Sequence, residues 1–85
     1  MPQFYFTYGT DGQPFVGGWT EIEAPNEESA RAVFRAFHPD RHQGLLNCCD
    51  VYTEERFKKT GMAGPEGNFG RRCRERITVT RVLND

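Results

Sequence analysis

Asn26-Glu27-Glu28-Ser29-Ala30-Arg31-Ala32-Val33-Phe34-Arg35-Ala36-Phe37-His38-Pro39 is the stretch on which the fold turns. Ala30, Val33, Phe34 and Phe37 fall at i, i+3, i+4 and i+7, the spacing that aligns one face of a helix. Asn26 is placed to accept from the free N–H groups of the first turn, and Glu27 and Glu28 meet the positive end of the helix dipole. Arg31 and Arg35 lie on the other side. Pro39 ends the helix, because a proline pushes the residue before it out of helical geometry.

Working outward, the flanks read as strands. Phe4-Tyr5-Phe6-Thr7-Tyr8 is aromatic and β-branched, and Gly9-Thr10-Asp11-Gly12 supplies a turn. A second strand is expected from about Phe15 to Ala24, with Thr20, Ile22 and Ala24 on one face and Trp19, Glu21 and Glu23 on the other. Gly17-Gly18 marks a bulge. Downstream, a third strand is expected over about Leu45 to Tyr52. Thr53-Glu54-Glu55 then opens a short helix that holds Phe57 as its apolar anchor and ends at Gly61. The Gly- and Pro-rich run over residues 61–70 reads as a loop. The last strand runs from about Cys73 to Leu83, with Cys73, Ile77, Val79 and Arg81 on one side and Arg74, Arg76, Thr78 and Thr80 on the other. The whole predicts a single α+β domain over residues 1–85. Its element order is β-β-α-β-α-β, in one antiparallel-rich sheet with one main helix packed on one face. The opposite face would then show Arg74, Arg76 and some Glu or Tyr.

A chain of 85 residues buries only about 60–65% of the surface it exposes when unfolded. Seven Phe, three Tyr and one Trp must therefore supply much of the core. A homodimer would supplement it. Net charge is −1, unevenly spread. Residues 1–28 carry five acids and no Lys or Arg; the remainder holds all 11 basic residues against 7 acids. Three cysteines make a poor disulfide framework. Met1-Pro2-Gln3 does not open a signal peptide, and no run approaches the about 18–20 apolar residues that span a bilayer. The expectation is a cytoplasmic chain with reduced thiols and no membrane partner.

Two patches are candidates for binding. Glu21, Glu23, Glu27 and Glu28 form an acidic group. Arg72, Arg74 and Arg76 alternate on one strand face beside Tyr5 and Trp19, a combination that sheet platforms use to hold single-stranded nucleic acid. The competing reading pairs those arginines with Glu21 and Glu23 across the sheet. For metal, His38 and His42 have a finger-like spacing, but Pro39 breaks the helix that would align them. Cys48 and Cys49 are adjacent and so face opposite ways in a strand. No metal or cofactor is expected. No segment matches a nucleophile elbow, a phosphate loop or a zinc-protease helix, so the reading is non-enzymatic.

Taken together, FYFTYGTDGQPFVGGWTEIEAP, FRAFHPDR, LLNCCDVYTEERFKKT and GNFGRRCRERITVTR resemble small proteins encoded on phages and integrative conjugative elements of Gram-positive gut bacteria. The resemblance spans nearly the whole chain and implies a genetic setting, with no site residues to carry over. It implies a mobile-element protein that inhibits a host defence complex, of the anti-CRISPR or anti-restriction type. Such a protein acts by direct protein binding or by sequestering a nucleotide signal. The alternative is a small nucleic-acid or nucleotide binder that uses the arginine strand and its aromatics.

Overall fold

A computed structural model of the chain describes residues 2–9, 12–14, 17–61 and 73–78. Strand β1 (Gln3–Thr7), strand β2 (Trp19–Glu23), helix α1 (Glu27–Phe37), strand β3 (Asp50–Thr53), helix α2 (Glu54–Thr60) and strand β4 (Cys73–Thr78) follow in the expected order. The strands form one sheet, β3-β1-β2-β4, so sheet order differs from chain order. β1 is antiparallel to both β2 and β3. β4 returns parallel to β2, which requires the long crossover that α1, β3 and α2 provide.

α1 forms as its sequence dictates. The Asn26 side chain accepts from the Ser29 N–H at 2.8 Å, and the helix stops at His38, before Pro39. Its buried face is Ala30 and Phe34, with Val33 partly covered. Phe37 departs from the expected face and is 57% exposed, because it sits at the last helical residue, beyond the sheet's cover. Under α1 lie Phe4, Phe6, Tyr8, Ile22, Ala24 and Val51, with Ile77 packed at the margin. Phe34 stacks on Phe6 with ring centroids 4.5 Å apart. A fully buried Phe contributes about 1.5–3 kcal/mol.

A polar chain runs through this layer. The single Thr20 hydroxyl proton goes to Glu75 Oε1 at 2.9 Å, so Tyr8 Oη is the donor to Thr20 Oγ1. His38 Nε2 meets the same Glu75 oxygen at 2.8 Å and ties the end of α1 to β4.

The opposite face is not left open, as the sequence reading has it. α2, capped by Thr53 and closed by Gly61 at φ +76°, lays Phe57 over Tyr5 and Trp19. Tyr5 and Phe57 stack at 4.1 Å, and Trp19 meets Phe57 edge-on at 4.9 Å. Three aromatic residues on that face (Tyr5, Trp19 and Tyr52) make too large an apolar area to leave in water.

Two strand boundaries and one register also differ from expectation. β3 begins at Asp50 and not near Leu45, because residues 42–49 form turns and bends that leave Leu45 outside. β2 is described only from Trp19, since Gly17 and Gly18 adopt φ of +77° and +84° and break the strand. β4 carries a register shift between its pairings with Trp19 and Thr20. Trp19 faces Cys73, whereas Thr20 faces Glu75, so Arg74 is the extra residue of a bulge. Cys73 therefore packs with Tyr5, Trp19 and Phe57 on one face, and Ile77 packs with the α1 layer on the other. The expected alternation placed them together. Phe15, Val16, residues 62–70, Arg72 and the expected continuation of the last strand through Val79 and Arg81 lie outside the described residues.

Candidate functional site

The residues expected to bind are engaged with one another. Glu21, its side chain only 16% exposed, accepts from Trp19 Nε1 at 3.0 Å and from Arg76 Nε at 3.1 Å. This is the cross-sheet pairing that competes with a nucleic-acid platform. Tyr5 and Trp19 are 8% and 5% exposed beneath Phe57, so neither offers an open ring for a base to stack on. Arg74 and Arg76 are exposed, and Arg72 lies outside the described residues. The four acids do not form one face either. Glu21 shares the Trp19 face of the sheet with Glu23, whereas Glu27 and Glu28 sit in the first turn of α1, which covers the other face. Glu27 is bound by Arg31 through Nε at 2.9 Å and Nη2 at 2.7 Å.

A different site emerges beside α1. Residues 41–51 leave an open cleft of about 510 Å³ against the helix. Arg31 and Arg35 line it from α1, one turn apart on one side of the helix. Arg41, His42, Leu45 and Asn47 line it from the connection to β3. His42-Gln43-Gly44-Leu45 is a turn closed by a Leu45 N–H to His42 carbonyl bond of 3.0 Å, with Gly44 at φ +82°, a position that favours glycine. That turn holds Leu45 outward, 64% exposed.

Each arginine is held in place by one edge only. Arg31 is fixed by Glu27, and Arg35 by Asp40, whose two oxygens both lie 3.1 Å from Nε. Arg41 donates from Nη1 to the Gly12 carbonyl at 2.7 Å, joining the β1–β2 and α1–β3 connections. Among the described residues, the Nη groups of Arg35, Nη1 of Arg31, and Nε and Nη2 of Arg41 have no protein acceptor.

Comparison with models of protein families, with curated proteins and with solved structures gives no match to this chain.

The charge of the cleft follows from its own residues. Asp50 also lines it, and its Oδ1 accepts from the Val51 N–H at 2.7 Å. Burial pushes the Cys48 thiol up to about 11, an effect the nearby Arg31 charge only partly offsets. At neutral pH Cys48 is thus a neutral lining residue and adds no negative charge. The three cysteines are free thiols. Among the described residues, no group of three or more His, Cys, Asp and Glu side chains converges as a metal site. No helix among them is long and apolar enough to cross a membrane. Sequence reasoning placed Arg31 and Arg35 on the side of α1 away from its apolar face and went no further. The available signal was their i, i+4 spacing followed by Arg41 just past Pro39, three guanidinium groups around one helix end.

Proposed function

We propose that this is a non-enzymatic binding protein whose working surface is the arginine cleft between α1 and residues 41–51, and that it takes an anionic group. The observation that carries the reading is the half-used state of Arg31, Arg35 and Arg41. Each is pinned by one acceptor and keeps further N–H donors for another. Guanidinium donors fixed in this way suit phosphate or carboxylate. In a mobile-element setting, such a protein would work in the cytoplasm, by sequestering a nucleotide signal from a host defence complex. Capture from a host lysate with the full chain and with a triple Arg31→Ala, Arg35→Ala, Arg41→Ala variant tests the cleft. The wild type is expected to retain an anionic component that the variant loses. Equal retention by both would remove the cleft from consideration.

A second reading keeps direct binding to a defence effector. It is favoured by the exposure of Phe37 and Leu45, two large apolar side chains of the kind enriched at protein contacts. Phe37→Ala with Leu45→Ala would then release a stoichiometric nuclease subunit from the captured material. Retention of that subunit by the double variant would sink this second reading.

A further inference from the structure

Resting on the cleft as the binding site, we infer that its ligand is a phosphorylated small molecule of mononucleotide size, with phosphate on Arg31 and Arg35 and its less polar part against Leu45 and Leu46. Three observations carry this. The volume, about 510 Å³, falls in the range of small-molecule pockets, about 300–1,000 Å³. The Arg41–Gly12 bond links two of the connections that border the cleft, which suits a bounded ligand better than a strand passing through. The cleft also brings donors and apolar side chains together. Arg31 and Arg35 line it from α1, and Leu45 and the half-buried Leu46 line it from the connection to β3, beside Arg41.

The electrostatics also favour a small ligand over a polymer. Glu27 and Asp40 offset part of the charge of the arginines they hold, so long-range attraction is modest. Recognition then comes from hydrogen bonds at contact, bidentate from guanidinium to phosphate. A polynucleotide binder gains affinity from many neutralised phosphates and loses it steeply with salt. A site of three arginines, two of them already paired with an acid, should show a shallow salt dependence.

Titration calorimetry of the full chain with ATP, GTP, CTP, UTP, adenosine, pyrophosphate and a ten-nucleotide single strand tests this directly. At least one triphosphate is expected to bind, more tightly than pyrophosphate, with adenosine silent. Arg35→Ala should weaken it at least tenfold and Arg35→Lys less. Alkylation mapped by mass spectrometry adds a readout of place. Saturating nucleotide should slow labelling of Cys48 and Cys49, which line the cleft, and leave Cys73, on the Trp19 face, unchanged. Binding of the single strand alone, lost in Arg35→Ala, would overturn the mononucleotide assignment and leave the anion cleft standing. Nucleotide binding insensitive to Arg31→Ala and Arg35→Ala, without cysteine protection, would overturn both. Silence from every probe would overturn the phosphate assignment alone, and the lysate capture with the triple arginine variant would still decide the cleft.

Discussion

Phe34 joins the helix to the sheet. It is fully buried, stacks on Phe6, and lies with its ring centroid 6.2 Å from that of Tyr8. Phe34→Ala leaves a cavity that the rigid strand aromatics cannot fill, and should cost about 3–5 kcal/mol in urea unfolding. Gly12 shows another kind of constraint. Its φ is +95°, and a Cβ there would come within 1.9 Å of Arg41 Nη1. Gly12→Ala is expected to strain the turn, displace the Arg41 side chain, lower the melting temperature by several degrees and weaken ligand binding severalfold; unchanged affinity would separate Arg41 from the site. Single residues were legible in the sequence where their environment is local, as with Asn26. Phe37 was not, because helical spacing gives a direction and not the extent of the sheet beneath it. Arg31 and Arg35 read only as the side of the helix away from its apolar face, since a cleft is made by a second segment whose path the periodicity does not reveal.

At the scale of elements, both helices were readable because each N-capping side chain lies three residues from the N–H that it accepts from. Asn26→Ala should lower stability by about 1 kcal/mol, measured as a shift in denaturation midpoint. Thr53→Ala should cost less, since the Thr53 hydroxyl is 3.3 Å from the Arg56 N–H, against 2.8 Å at Asn26. Strand β4 was only half legible. Its composition marked a strand, but the bulge at Arg74 is set by how two partners more than a helix apart come into register. That displacement sends Cys73 to the Trp19 face. It also puts Arg76 opposite Glu21, so the arginine strand is tied within the sheet where composition alone suggested an open platform. The same limit applies to α2. Phe57 was recognised as its anchor, but which face it would cover depends on Tyr5 and Trp19 lying side by side.

For the molecule as a whole, buried ionisable groups set an alkaline limit. Burial raises Cys48 to about 11 and pushes Tyr8 above the ordinary tyrosine value. A group whose folded pKa is raised is held neutral by the fold. Its contribution is complete below the unfolded value and is lost as pH climbs to the folded one. Unfolding free energy should therefore decline from about pH 9 toward pH 11, and Cys48→Ala should flatten the decline. A wild-type profile flat over that range would contradict the burial of the thiol.

The parallel pairing of β2 with β4 bears on how the chain comes to be made. On a ribosome, β1, β2, α1, β3 and α2 emerge before Cys73, and β4 must then pair with a strand about fifty residues behind it. At about 5–20 residues per second, the outer edge of β2 waits several seconds for its partner. During that interval Thr20 has no Glu75 to receive its proton, and His38 Nε2 lacks the Glu75 oxygen that ties it to the sheet. Docking of the last strand thus fastens the sheet edge and the helix end in one event. That event is the slow, long-loop closure of the fold, and the nascent chain is most open to wrong strand pairing just before it.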